Sequence, residues 1–363
     1  MAPARVAPII LAALLTGLAG AATFEPGDAA VPEPVKVGTA WGVPGQTVRG
    51  SLKVAEAADG SPVEIPVAIV TGREPGPVVW ANASSHGDEY GATRALQDVV
   101  SSLDPEELSG VFVAVLVANP PAFRALFRVN PSWDDLLDAG DVFPGRPDRF
   151  TTERIAAALF ERVTSVADYF LDLHTGGDRF RQHPFVFYSQ AGIIEEDRND
   201  ELARGFGIPT LWRDTERTWP GSAAVVFAEA GVPSFLIEVG GGQPLDPNDL
   251  SLQADAVRSF LRKVGVLPGR PAAVETFTIL GGSRIVSNSR GGFFDAAVSP
   301  GDRISEGAAL GAIVDVYGEV VETLIAPPGA EIVLGVNTYP ASPTGGWLVE
   351  VGVRLTEVRG RGP

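Results

Sequence analysis

Between Val78 and about Gly265 the chain alternates near-continuous apolar runs with segments of helical length. The runs are "PVVWANAS", "VFVAVLVANP", "DYFLDLH", "PFVFYS" and "VPSFLIEVG". Between them, helices are expected over residues 90–103, 151–164, 196–206, 221–230 and 251–264, several opening near Ser, Thr or Asp. Strands that are apolar throughout must be buried on both faces. The expected architecture is therefore α/β: a mixed, largely parallel sheet covered by helices on both faces. The Pro-flanked "LPGRP", residues 267–271, reads as a hinge. Beyond it, short Gly- and Val-rich strands broken by "SPGD", "YG" and "PPG" read as a small all-β C-terminal domain.

The ends of the chain complete the organisation. Arg5 precedes the apolar, small-residue run "VAPIILAALLTGLAGAA", which closes on an A-x-A pattern. That is the pattern of a secretory signal peptide and implies export to the periplasm or the extracellular space. The expected divisions are a signal peptide over 1–22, a Pro- and Ala-rich linker over 23–46, the α/β domain over 47–268 and the β domain over 269–363.

Composition removes several function classes. A net charge of −17 disfavours a nucleic-acid partner, which needs a basic surface. With no cysteine there are no thiolate metal sites, no cysteine nucleophile and no disulfide. Any metal must be held by nitrogen and oxygen.

The chain has only three histidines, and two of them fall at strand ends. His86 and Glu89 follow "PVVWANAS", His174 ends "DYFLDLH", and Glu238 ends "VPSFLIE". In an open α/β sheet, ligands gather at the carboxyl ends of the strands. Three strands thus deliver two imidazoles and two carboxylates to one edge. His86 and Glu89 are three apart, so one turn can aim both side chains together. With His174 they make the two-His, one-Glu set that catalytic zinc uses, one ion per chain, leaving a position for water. Asp172, two residues before His174, is placed to orient a ligand. Glu238 then suits the general base and acid. His183, in "RQHPF", reads as a loop residue and not a ligand.

These residues carry a resemblance. The chain resembles the succinylglutamate desuccinylase and aspartoacylase family, relatives of the zinc carboxypeptidases. The likeness runs through "NASSHGDEYGA", "VANPPAFRALFRVNP", "FPG", "DLHTGG", "LIEVGGG" and the late "GGFF" and "SPGDRISEGAALGAI". It implies zinc on His86, Glu89 and His174, Glu238 as the catalytic glutamate, and hydrolysis of a small N-acyl amide. One departure stands out. The family's "DLNR", whose Asn-Arg pair grips a substrate carboxylate, is absent from "SWDDLLDAGDVFPG". An aspartate such as Asp138 or Asp141 does not replace a bidentate arginine fork. Arg128 is the leading substitute as carboxylate or oxyanion partner, with Arg124, Arg179 and Arg181 as further candidates. Two alternatives share the metal site: a metallocarboxypeptidase, and a zinc-holding binding protein without turnover.

Overall fold

The computed structural model describes residues 34–190, 192 and 194–360. Its backbone is organised by a thirteen-stranded sheet. In chain order the first strands are β1 (Lys36–Val37), β2 (Ala40–Trp41), β3 (Gln46–Glu56), β4 (Pro62–Thr71) and β5 (Glu74–Ala83). Then come α1 (Tyr90–Ser102), β6 (Ser109–Val115), α2 (Pro120–Ala125), α3 (Thr151–Val166) and β7 (Tyr169–His174). They are followed by β8 (Phe180–Ser189), α4 (Glu196–Ala203), β9 (Thr210–Asp214), α5 (Ala223–Glu229), β10 (Ser234–Gly240) and α6 (Pro247–Lys263).

At the centre, β6, β5, β7 and β10 run parallel in that order. Antiparallel β4 and β3 extend one side, and antiparallel β8 continues the other. The apolar runs are continuous because both faces are covered. On one face α1 and α6 present Leu96, Val99, Val257 and Phe260 to Ala81, Leu171 and Phe235. On the other, α3 and α5 present Ile155, Leu159 and Phe227 to Trp80, Val113 and Phe170. On α3 the buried Ile155, Leu159 and Val163 recur every four residues, the spacing that puts them on one helix face. Asp246 caps α6 by accepting from the Asn248 N–H, with Pro247 at the first helical position.

The C-terminal part contributes β11 (Thr276–Leu280), β12 (Gly282–Ser287), β13 (Gly292–Ala296), β14 (Ala309–Val314) and β15 (Val320–Ile325). It closes with β16 (Ala330–Asn337), β17 (Ala341–Ser342), β18 (Trp347–Val353) and β19 (Thr356–Arg359). This region is all β, and only part of it forms a sheet of its own. β13, β14, β15 and β17 form a separate four-stranded sheet, while β11, β12, β16, β18 and β19 join the large one. β16 pairs with β8 through Gly335 and Gln182, so chain from both sides of residue 268 shares one hydrogen-bonded sheet.

Two sequence expectations change here. The described part of the expected linker contains β1 and β2, and its Val35, Val37 and Ala40 are buried in the α3-side core. Apolar residues at such spacing gain more by covering that core than by staying in water. Export is corrected: the segment it rested on, residues 1–22, lies outside the described residues, and nothing in the structure supports it. Among the described residues no helix is long and apolar enough to cross a membrane.

Phe260 tests the packing, since it is fully buried and stacks on Phe206 at 4.4 Å. Phe260→Ala is expected to cost about 3–5 kcal/mol in chemical denaturation. A loss below about 1 kcal/mol would contradict the packing described.

Candidate active site

The parallel register sets the site. Asn82 of β5 lies beside Asp172 of β7, and His174 of β7 lies beside Glu238 of β10. The three strands therefore end at one edge. Gln253 of α6 ties two of those ends together, its Nε2 donating to the carbonyls of His174 (2.8 Å) and Ile237 (3.1 Å).

Past β5 the chain makes a tight turn. Ser84 has φ +52°, and its hydroxyl donates to the Glu89 carbonyl and pairs with the Thr93 hydroxyl. Gly87 donates its N–H to the Arg128 carbonyl, and α2 presses against it. A Cβ on Gly87 would lie 2.1 Å from the Ala122 carbonyl carbon, so only glycine lets α2 close this far.

That turn brings His86 and Glu89 to His174. The three offer ligand atoms all within 4.8 Å of one another, and all three residues are buried. The Glu89 carboxylate lies between the rings: Oε1 is 2.6 Å from His86 Nδ1 and Oε2 is 2.9 Å from His174 Nδ1. The Thr175 N–H also donates to Oε2. The outer ring nitrogens have partners too. His86 Nε2 is 2.8 Å from Asp138 Oδ1, and His174 Nε2 is 3.1 Å from Asp172 Oδ2. Ser85 donates to the other Asp172 oxygen. Carboxylates behind the ligand rings fix ring orientation and raise basicity, as they do in metal sites.

The electrostatics follow from burial and proximity. Burial opposes ionisation of Glu89, but the two imidazoles outweigh it and hold its carboxyl well below the usual range. Burial also opposes a charge on His174, yet Asp172 and Glu89 raise it well above the ordinary imidazole value. Glu238 goes the other way. Burial first, then the Glu89 charge, push its carboxyl up to about 8. Its Oε1 is buried and has no hydrogen-bond partner among the described residues.

The structure thus brings His86, Glu89, His174, Asp172 and Glu238 to one edge, together with Arg128. The Arg128 Nη1 is 3.5 Å from Glu89 Oε1, and its Nε donates to Asp138 Oδ2 at 2.9 Å. Asp138 is the residue the sequence reading missed as part of the site; it holds both the His86 ring and the arginine. The other arginines are engaged elsewhere. Arg181 pairs with Asp246 and Asp249 at the start of α6, and Arg179 lies over the Tyr339 ring. Among the described residues Arg124, in the last turn of α2, makes no ion pair or side-chain hydrogen bond. His183 sits on β8, 2.9 Å from the Thr210 hydroxyl.

Two imidazole nitrogens and a carboxylate oxygen, buried and convergent with oriented rings, are a donor set that fits a divalent metal.

The sequence pattern of the succinylglutamate desuccinylase/aspartoacylase catalytic domain matches residues 75–264, just over half of the chain. The chain belongs to the succinylglutamate desuccinylase/aspartoacylase family. Membership makes it an amidohydrolase of the deacylase type. It is 28% identical over 323 residues to the N-alpha-acetyl-L-2,4-diaminobutyric acid deacetylase of Halomonas elongata, covering 86% of this chain and 93% of that one. The fold is shared with the product-bound ectoine utilization protein EutE (DoeB) of Ruegeria pomeroyi. That match has a TM-score of 0.75 and 24% identity, over 85% of this chain and 95% of the other. A succinylglutamate desuccinylase/aspartoacylase of Rhodobacter sphaeroides matches with a TM-score of 0.74 and 22% identity, over 84% and 94%.

Gly87 gives a direct test of how this family site is assembled. Gly87→Ala must push α2 off the turn and is expected to cost about 1–3 kcal/mol of stability. An unchanged unfolding midpoint would show that the close approach of Ala122 is unimportant.

Proposed function

We propose that the chain hydrolyses the amide bond of a small N-acyl amino acid, using one zinc ion held by His86, Glu89 and His174. The observation that carries this reading is the convergence of those three buried donors, two from the turn after β5 and one from the end of β7, with Glu238 beside His174 on β10. When bound, the zinc supplies a Lewis acid that polarises the scissile carbonyl and makes an attacking water more acidic.

The chain's own residues do the rest. Glu238 takes a proton from the attacking water and returns it to the departing amine. Its raised pKa suits both directions of transfer near neutral pH, because a base much weaker or stronger than the medium fails at one of them. Arg128, held by Asp138, supplies positive charge beside Glu89, where the carbonyl oxygen becomes negative. Asp138 and Asp172 keep the His86 and His174 rings turned toward Glu89. The Halomonas relative is named for removing an acetyl group from an amino acid, while other relatives are named for a succinyl group. An amino-acid half with a variable acyl half is the substrate class these names support.

Glu238→Gln keeps the size of the side chain and removes the proton acceptor. It is expected to lower kcat for N-acyl amino acids by about 10²–10⁴-fold while leaving the zinc content unchanged. Because the base must be ionised, wild-type kcat/KM should rise with pH through the Glu238 pKa, and the variant should lack that limb. A variant with wild-type turnover would sink the assignment.

A further inference from the structure

The loop that carries Asp138 presents apolar side chains to solvent at the edge of the site. Trp133 is 88% exposed and Leu136 58% exposed, and Leu126, Phe127 and Phe150 are exposed beside them in the chain. Scattered exposed apolar residues are ordinary, but a group of them marks a contact surface. Three observations show that this group is built.

The loop is pinned. Asp135 is buried, accepts from the Asn130 side chain at 2.7 Å and accepts from the Thr152 N–H at 3.0 Å. This ties the loop to the start of α3, next to Phe150. Within it, the N–H groups of Asp135 and Leu136 both donate to the Ser132 carbonyl.

The backbone is held against preference. Leu126 has φ +53° and Leu136 has φ +24°, a region where glycine or asparagine is the easier choice. Both positions keep leucine and turn it toward water. Side chains retained against both backbone preference and burial point to something that covers them.

The group is also continuous with the site. Phe127 precedes Arg128, and Leu136 stands two residues before Asp138, which touches His86 and Arg128. In the same stretch stand Gly140, where a Cβ would be 3.3 Å from His86 Nε2, and the exposed Asp141. The exposed Asp141 repels an anionic group, while a neutral chain is indifferent to it.

We infer that this rim takes an apolar acyl chain, so that the substrate is an N-acyl amide with a neutral acyl group several carbons long. The inference rests on the amidohydrolase reading and names its acyl half. In the reaction the carbonyl carbon gains the oxygen of water and loses the nitrogen. The amine leaves with a proton, and the chain-bearing acid is released.

Calorimetry with the purified full-length protein tests the rim without relying on turnover. Octanamide, acetamide and succinamate each carry the carbonyl and differ only in the attached group. Octanamide is expected to bind at least about tenfold tighter than acetamide, and succinamate more weakly than either. Leu136→Ser and Trp133→Ser are each expected to weaken octanamide about fivefold or more. In parallel, kcat/KM for an N-octanoyl amino acid should exceed that for the N-acetyl compound, and the ratio should fall in both variants. Octanamide binding no tighter than acetamide, or unmoved by either substitution, overturns the inference. So does a change of oligomeric state in Trp133→Ser with octanamide binding intact, which makes the rim a subunit interface. Octanamide binding without hydrolysis of any N-acyl amino acid removes the proposed reaction and leaves the apolar rim standing.

Discussion

One carboxylate holds this site together. Glu89 is buried and places one oxygen against each of two buried imidazoles. A buried carboxylate without partners would be far too costly to keep charged. Here it is matched by two rings, one backbone N–H and a nearby guanidinium. Every other feature of the edge serves that arrangement. The Gly87 turn brings His86 and Glu89 round together, β7 delivers His174, and Asp138 and Asp172 stand behind the two rings. The same three donors are the set proposed to hold zinc, so the group that organises the edge also defines its chemistry.

Glu238 shows how the fold gives two neighbouring carboxylates different environments. It stands beside His174 on the neighbouring parallel strand, yet has no hydrogen-bond partner on Oε1 among the described residues. Glu89 has two imidazoles and is held ionised; Glu238 has burial and a like charge and is pushed up to about 8. Environments that separate the pKa values of neighbouring acids are what the proposed roles of metal ligand and proton carrier require.

Much of this was legible in the sequence, for physical reasons that also set its limits. Histidine is so scarce in the chain that two of three at strand ends stand out. Strands buried on both faces write themselves as apolar runs, so the ends of β5, β7 and β10 could be read. Asp138 could not, because its contact with His86 crosses 52 residues and a loop without periodicity. Its carboxylate read as an obstacle to substrate, and in the structure it holds the His86 ring and Arg128. The joining of β16 to β8 was equally hidden, since pairing over such a separation leaves no local pattern. Arg181 looked available by position, but two aspartates at the start of α6 engage it.

The most direct test of the account is anomalous diffraction at the zinc edge from crystals of the protein purified without chelator. The account predicts one peak per chain, bonded to His86, Glu89 and His174 and lost in His174→Ala. A protein that hydrolyses N-acyl amino acids with no peak there, or with the metal bound elsewhere, would contradict it.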